Sequence, residues 1–366
     1  MACLMVIVLH VKLFSVKDGQ VRDTVLMVQT LASIAVGSFF LMSGFFIPNQ
    51  SSVSRVWKGF LQNTALPALL VVLAVNILGP WLDDEAGFWE GIMAFDLPDF
   101  AERLMRAIIG LDVSFLGNGC AHLWFIMSYA LIMIWAPAIM FFAHHDGKRL
   151  LMFYAALALF RLCIIDITKM AGIPVVIYLV ELGPVEVLYF VLGYIIYTYR
   201  DKLVKAGWTV PVFGLLAILW FGLQFLVQRS YYIFLMDQGR DVFDVNISGA
   251  YYTSWASFCA MAASCLVALF VLSLDIKGER LRKAIEVLGS LTFPIYLIHY
   301  PIVMKINAMG FGGLLEKLFH AETAAGAVIY SGFYTLLVFS VTGGLILSFR
   351  SIRKVLAHKR IIPINK

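Results

Sequence analysis

Charged residues are scarce in this chain: Asp, Glu, Lys and Arg make up 14% of the 366 residues, whereas 61% are hydrophobic. A water-soluble globule of this length needs a larger polar surface, so the composition excludes that class. The net charge of +5 is modest and does not indicate nucleic-acid binding. Apolar stretches of about twenty residues, each long enough to cross a bilayer as a helix, recur to the end of the chain. The sequence therefore predicts an all-α polytopic membrane protein.

Cysteine is also scarce, and common catalytic signatures are missing. The five cysteines are odd in number and show no metal-ligand spacing, which is typical of packing residues rather than of a disulfide framework or a zinc site. No HExxH, GxSxG or GxxxxGK pattern occurs, so none of the chemistries that depend on these motifs is indicated. The first apolar segment lacks the charged start and the small-residue cleavage site of a signal peptide.

The apolar stretches predict ten spans within a single membrane domain, residues 1–366, with no internal repeat and no separate soluble domain. The tail and the loops after the even-numbered spans together hold 17 Lys and Arg residues, whereas the loops on the opposite side hold 9. Both termini are therefore predicted to be cytoplasmic. In the outer loop before span four, the helical spacing of apolar residues over 99–109 predicts an amphipathic helix at the membrane interface. The spans are roughly 1–16, 25–48, 62–82, 119–143, 149–166, 182–199, 209–228, 249–274, 284–304 and 323–348.

Three histidines lie within or at the ends of predicted spans. His10 is in the outer half of span one, His122 opens span four and His299 nears the outer end of span nine, so the topology places three imidazoles at a similar depth. Polar groups at this depth commonly mark a pathway or an active site. Structural hydrogen bonding and a three-histidine metal site are the alternatives, although no local ligand spacing supports the metal site. The remaining histidines are predicted to be solvated: His144, His145, His320 and His358.

Two further ionisable residues lie in predicted spans. Glu186, at the outer start of span six, is a candidate to orient an imidazole or a substrate hydroxyl, and an interfacial carboxylate with access to water is the alternative. Arg161 in span five is a candidate to bind an anion, or else to form a structural pair with Asp166.

Span nine carries two prolines around its aromatic residues. Pro294 and Pro301 flank Tyr296, His299 and Tyr300, and this spacing predicts a short distorted turn. Irregular helix at membrane depth is tolerated where it lines a cavity.

Span two ends in Ser43, Gly44 and Phe45. No base lies near Ser43 in sequence, so a role as nucleophile is not indicated. Glycine instead indicates close helix packing, beside a groove walled by aromatic rings. These rings belong to Phe39, Phe40, Phe45 and Phe46.

Four segments, taken in order, resemble the acyltransferase-3 family of integral membrane O-acyltransferases. Residues 2–10 are an apolar run that ends in histidine, and 39–47 read Phe-Phe-Leu-Met-Ser-Gly-Phe-Phe-Ile. Residues 122–125 read His-Leu-Trp-Phe, and 290–301 match Ser-x-x-x-x-Ile-Tyr-Leu-Ile-His-x-Pro. Each motif alone is weak, but four in this order cover nearly the whole chain.

The resemblance implies about ten spans around a central polar cavity, in a bacterial inner (plasma) membrane. It implies transfer of an acyl group, usually acetyl from acetyl-CoA, to a hydroxyl of a glycan or glycolipid. Acyl-CoA is then a donor substrate, and no tightly bound cofactor or metal is implied. The partners are acyl-CoA, the acceptor and the lipid bilayer. The histidine that the family makes essential corresponds to His10.

The chain departs from the family pattern on the cytoplasmic side. The family usually has an arginine about ten residues before the first-helix histidine, a position that would precede Met1. The basic cluster after the second helix is reduced to Arg55 and Lys58, with Gln62 and Asn63 where further cations are expected. Both features are suited to binding the phosphates of CoA.

These arguments predict two sets of site residues. His10 is the expected general base, or the carrier of a transient acyl group, and the acceptor is expected near the outer ends of the spans. The predicted catalytic residues are His10, His122, Tyr296, His299 and Glu186. The predicted substrate-binding residues are Ser43, Gly44, Phe45, Arg55, Lys58, Trp124, Arg161, Tyr231, Tyr232 and Tyr300.

Two other functional classes fit parts of the same pattern. A transporter or flippase-like protein for a lipid-linked glycan would use the histidines as a proton relay, although common transporter folds show an internal repeat. A catalytically inactive relative that binds a partner would fit the thin basic cluster. The sequence does not specify the acceptor, the acyl chain length or the oligomeric state.

Overall fold

The computed structural model describes residues 2–10, 19–49, 52–110, 112–161, 185–204, 208–237 and 257–361. About 90% of these residues are helical, and none lies in a strand, so the all-α class is confirmed. The α-helices in this part of the chain are α1 (Ala2–His10), α2 (Gly19–Ala32), α3 (Ile34–Phe46), α4 (Val53–Phe60), α5 (Leu66–Leu82), α6 (Phe88–Met93), α7 (Leu97–Gly110), α8 (Trp124–His145), α9 (Gly147–Phe160), α10 (Val185–Leu203), α11 (Thr209–Asp237), α12 (Phe258–Ser273), α13 (Glu279–Ala308), α14 (Phe311–Leu318) and α15 (Ala324–Ile361).

Six helical stretches of the described chain are long and apolar enough to cross a bilayer, and the protein is therefore an integral membrane protein. They coincide with predicted spans two, three, four, seven, nine and ten. The other four predicted spans contain α1, α9, α10 and α12, each of which borders on residues outside the described ranges, so the count of ten stays a prediction. The six stretches are Asp23–Phe46, Val53–Leu82, Trp124–Phe142, Thr209–Phe234, Glu279–Ala308 and Ala324–Ile352.

One continuous helical stretch defines the two ends of the bundle. α4 and α5 join through a π-helical segment, Leu61–Ala65, into a helix of 30 residues. Arg55 lies near its start, and Asp83 follows its last residue. We call the first side the basic end and the second the acidic end. Positive charge favours the cytoplasmic face of a membrane, so we expect the basic end to face the cytoplasm.

The crossing of α3 and α10 is very close. A Cβ at Gly44 would lie 2.9 Å from the Cα of Phe190 and nearer still to its carbonyl oxygen, and a Cβ at Gly193 would lie 2.8 Å from the backbone nitrogen of Phe45. Glycine at both positions lets the two backbones touch. The close packing predicted for Gly44 is present, and it positions the aromatic residues of α3.

The acidic end is covered by α6 and α7. α7 matches the amphipathic helix predicted from the sequence over 99–109, and its Met105, Ile108 and Ile109 side chains are largely exposed. An apolar face of this kind suits the membrane interface.

The prediction of a distorted turn in span nine is wrong. α13 is helical from Glu279 to Ala308 and runs through both Pro294 and Pro301. The helix continues through both prolines because side chains from other segments donate hydrogen bonds to the carbonyl oxygens that the prolines leave without a helical partner.

Candidate active site

Three imidazoles from distant segments meet near the acidic end of the bundle. His10 is the last residue of α1, His122 lies in a 3₁₀ segment (Asn118–Leu123) before α8, and His299 lies in α13. The ring centroid of His299 is 5.2 Å from that of His10 and 5.1 Å from that of His122. We call these residues, with Tyr296 and Tyr300, the histidine cluster.

Tyr300 and Tyr296 complete the cluster from the same helix. The Tyr300 ring lies 4.9 Å from His10 and 5.3 Å from His122, so it contacts both imidazoles. The buried Tyr296 ring lies 5.8 Å from both His122 and His299. Four of the five predicted catalytic residues therefore share one site, together with Tyr300.

Pro301 explains how His122 is held. A helical residue normally donates its N–H to the carbonyl four positions earlier, but proline has no N–H. The carbonyl oxygen of Leu297 is thus open, and it accepts a hydrogen bond of 3.0 Å from Nε2 of His122. The Tyr296 hydroxyl in turn donates to the carbonyl of His122. These two bonds fix the ring and the backbone of His122 against α13.

Pro294, which lies two helical turns before Pro301 in α13, shows the same arrangement. The carbonyl oxygen of Ser290, four residues earlier, accepts a 2.8 Å hydrogen bond from Arg350 of α15, and the Ser290 hydroxyl accepts a second at 3.0 Å. An outside donor therefore satisfies the open carbonyl, as buried polar groups require. α13 keeps both prolines and remains helical.

The hydrogen bonds assign the tautomers of two imidazoles. A carbonyl oxygen only accepts, so the proton of neutral His122 is on Nε2 and that of neutral His299 is on Nδ1, which donates to Tyr296 at 2.7 Å. The opposite nitrogens, Nδ1 of His122 and Nε2 of His299, are buried and have no hydrogen-bond partner among the described residues. His122 and His299 are 2% and 0% exposed, whereas His10 is only half-buried. His10 is therefore the imidazole that a substrate reaches most easily.

The segment that carries His122 is anchored at several points. Asp112 accepts a 2.8 Å hydrogen bond from the backbone of Ser114, and bonding to Ser114 holds the pKa of Asp112 below its usual range. Asn76 of α5 donates to the carbonyl of Leu116 at 3.1 Å. Gly117 has a φ of +88°, a conformation that glycine adopts without strain.

Aromatic rings connect the histidine cluster with the middle of the bundle. Phe125 packs on Tyr296 with ring centroids 5.4 Å apart and on Phe39 at 5.7 Å. On its other side, Phe125 stacks with Tyr129 at 6.0 Å. Two ring contacts therefore lead from Tyr296 to Tyr129.

Tyr129 lines a cavity of about 220 Å³, which we call the basic cavity because Arg55 lines it too. Ser43 also lies in its wall, donates to the carbonyl of Phe39 at 2.8 Å and is hydrogen-bonded to Tyr129. Lys58 is on the same short helix as Arg55 and is exposed. The structure thus brings Ser43 and Arg55 together, on the opposite side of the aromatic rings from the histidine cluster.

Glu186 and Arg161 occupy other positions. Glu186 accepts a 3.1 Å hydrogen bond from Ser128, which links α10 to α8. Arg161 is buried at the end of α9, and its predicted partner Asp166 lies outside the described residues. Trp124, the first residue of α8, is half-buried and packs against the main hydrophobic core.

Tyr231 and Tyr232 lie on α11, away from this core. Tyr232 is buried against Leu26 in a small cluster separate from the one that contains Tyr296, and Tyr231 stacks on Phe234 at 6.3 Å. The structure therefore does not bring these two tyrosines to the histidine cluster. His145 and His320, which were predicted to be solvated, are exposed, and the side chains of His144 and His358 lie outside the described residues.

Sequence reasoning missed several residues near the site. Ser128 and Tyr129 follow Phe125 at helical spacing, a signal that was available. Asn76 and Arg103 come from separate segments, and no sequence pattern connects them.

Within the described residues, no group of three or more His, Cys, Asp or Glu side chains is arranged to hold a metal ion.

Comparison with known proteins gives one informative result. A family model described as an acyltransferase domain, Acyl_transf_3, matches residues 1–350. No curated protein and no solved structure gives a significant match to the chain. Because the family model covers nearly the whole sequence, including all the residues of the histidine cluster, the chain belongs to the acyltransferase-3 family.

Proposed function

We propose that this membrane acyltransferase moves an acetyl group from acetyl-CoA to a hydroxyl of a glycan or glycolipid, with His10 as general base. The observation that supports this most is the meeting of His10, His122 and His299 in a chain of an acyltransferase family. Two of these imidazoles have a buried nitrogen without a hydrogen-bond partner among the described residues, and the third, His10, is the least buried of the three.

The chemistry needs a base because an alcohol is a weak nucleophile at neutral pH. Neutral His10 accepts the hydroxyl proton while the hydroxyl oxygen bonds to the thioester carbonyl carbon. The tetrahedral intermediate then expels the CoA thiolate, which takes the proton from His10. A positioned general base contributes roughly 10²–10⁴-fold to such a reaction.

His122 and Tyr296 have a different part in this proposal. Both were predicted to be catalytic, and the developing oxyanion needs a hydrogen-bond donor, but the Nε2 proton of His122 and the hydroxyl proton of Tyr296 are already bonded to backbone carbonyls. We therefore assign them to positioning: they hold the cluster in place around His10 and His299.

The donor is proposed to enter from the basic end. Arg55 in the wall of the basic cavity, with Lys58 beside it on α4, is suited to phosphate groups of CoA. Phe125 and Tyr129 separate this cavity from the histidine cluster, so the acyl end of the donor has to pass these rings. Either the acetyl group is transferred directly, or it rests first on His10 as an acyl-imidazole.

Labelled acetyl transfer tests the proposal. The full chain in proteoliposomes is given [¹⁴C]acetyl-CoA and a membrane glycan fraction from the producing cell, and label is expected in the glycan. Proton-coupled glycan uptake without label in the glycan would instead indicate the transporter. Quenching without acceptor separates the two routes, because only an acyl-imidazole leaves label on the protein that hydroxylamine releases.

A further inference from the structure

A second cavity lies at the acidic end of the bundle and has no part in the donor site. Its volume is about 340 Å³, within the range of roughly 300–1,000 Å³ that is usual for small-molecule sites. The cavity lies between α5, the short connection from α6 to α7, α7 itself and α13. Its wall includes Asn76, Asp99, Arg103, Gly119 and Met304.

The elements that carry the histidine cluster also form this wall. Gly119 lies in the same 3₁₀ segment as His122, three residues earlier, and Met304 lies one helical turn beyond Tyr300 on α13. A Cβ at Gly119 would be 3.5 Å from the sulfur of Met304, so the two elements touch at this point. The cavity therefore shares the 3₁₀ segment and α13 with the histidine cluster, whereas Arg55 and Tyr129 line the separate basic cavity.

Polar side chains in the cavity wall are held in fixed positions. Arg103 donates from Nε to Asp99 at 2.8 Å and from Nη1 to the Asn76 oxygen at 3.1 Å. Asn76 donates in turn to the carbonyl of Leu116 at 3.1 Å. Planar donors and acceptors fixed in this way suit a ligand that carries several hydroxyl groups, since each hydroxyl both donates and accepts.

The charge of the wall restricts the ligand further. Among the described residues that line the cavity, Arg103 is the one cation, and it is paired with Asp99, while further carboxylates accompany it. Carboxylates accept hydrogen bonds from hydroxyls but repel phosphate and uronic acid groups. The other carboxylates in the wall are Asp83, Glu85 and Asp96.

We infer that this cavity, the acceptor cavity, binds an uncharged sugar unit of the acceptor and presents its hydroxyl to the histidine cluster. The inference rests on the proposed function, because it assigns the second substrate of the same reaction. It also moves the acceptor away from Tyr231 and Tyr232, which were predicted to bind it and which pack elsewhere.

A variant that fills the acceptor cavity tests whether the acceptor binds there. Ala94 is exposed in the cavity wall, so Ala94→Trp fills the cavity from its rim, and Ala101→Trp places the same ring at an exposed site of α7 outside it. With [¹⁴C]acetyl-CoA and the membrane glycan fraction, Ala94→Trp is expected to lower kcat/KM for the glycan by about tenfold or more. Ala101→Trp is expected to match the wild type, and both variants are expected to bind acetyl-CoA normally in calorimetry. Equal rates for Ala94→Trp and the wild type would overturn the location, whereas a wild type that transfers no label would refute the proposed function itself.

Competition tests the chemical class. Maltotriose, which is uncharged, and trigalacturonic acid, which carries a carboxylate on each unit, are compared as inhibitors of labelling by the wild-type chain. Maltotriose is expected to inhibit at concentrations about tenfold or more below those that trigalacturonic acid requires, because the acidic wall repels the uronate. Equal or stronger inhibition by trigalacturonic acid, or no inhibition by either sugar, would overturn the class assigned here.

Discussion

Replacing Pro301 by alanine is expected to stabilise the protein and to slow acyl transfer. Proline at this position leaves the Leu297 carbonyl open, and Nε2 of His122 donates to it at 3.0 Å. An alanine supplies the missing N–H, which closes the helical hydrogen bond to the same oxygen. His122 must then share or lose its acceptor, and its position against α13 is no longer fixed.

The two effects have opposite signs and can be estimated separately. A proline inside a helix costs about 3 kcal/mol relative to alanine, and the hydrogen bond of His122 contributes about 1 kcal/mol, so a net gain of up to about 2 kcal/mol is expected. A displacement of about 1 Å at a catalytic group lowers a rate by about 10²-fold. The variant should therefore melt at a higher temperature while its transfer rate falls by up to about 10²-fold.

Thermal unfolding in nanodiscs and the rate of labelled acetyl transfer measure the two effects on one preparation. Pro294→Ala is the matched control, since it makes the same change in the same helix. Its new N–H competes with Arg350 for the carbonyl oxygen of Ser290 and leaves the hydrogen bond of His122 untouched. It should gain stability and retain a rate close to that of the wild type. Transfer by Pro301→Ala at the wild-type rate, or equal losses in both variants, would refute the link between Pro301 and His122.

Three further predictions concern the packing, the acidic end and the base. Gly44→Ala forces α3 away from Phe190 and should lower stability by about 1–3 kcal/mol in thermal unfolding. Gly222→Ala should not, because no atom of the described residues outside its own stretch of helix backbone lies within 4 Å of the added carbon. Lys305 bonds Asp84 at 3.0 Å, so Lys305→Met should lower stability by about 1 kcal/mol, and less in high salt. The transfer rate should fall once the medium is acidic enough to protonate His10, because a general base acts only when it is unprotonated.

Each of these expectations has a clear opposite. A Gly44→Ala protein as stable as the wild type would mean that the α3–α10 crossing is looser than it appears from the backbone distances. A salt-independent loss in Lys305→Met would assign the effect to packing rather than to charge. A rate that falls steadily as the pH rises would exclude an imidazole base.

Much of the site follows from local patterns in the sequence. Apolar length predicts the helices, and the alternation of basic loops places His10, His122 and His299 at a similar depth. The structure places their rings in contact, because α1 and the 3₁₀ segment both pack on α13. Their roles in catalysis stay predictions.

The remainder depends on pairings across long stretches of chain. Pro301 looks like a helix breaker in sequence, and only the approach of His122 from 175 residues away shows why the helix continues. Tyr232 looks like an outer-loop aromatic residue, but α11 packs it on Leu26. The acceptor cavity needs Asn76 and Arg103 from different helices, which no periodicity connects.

The most direct test of the account is the transfer rate of His10→Ala, measured with labelled acetyl-CoA and the membrane glycan fraction and normalised to folded protein. His145→Ala is the matched control, since His145 is exposed at the far end of α8 and takes no part in the cluster. We predict a loss of roughly 10²–10⁴-fold in His10→Ala at an unchanged melting temperature, and no loss in His145→Ala. Acetyl transfer by His10→Ala at the wild-type rate would contradict both direct base catalysis and the acyl-imidazole route.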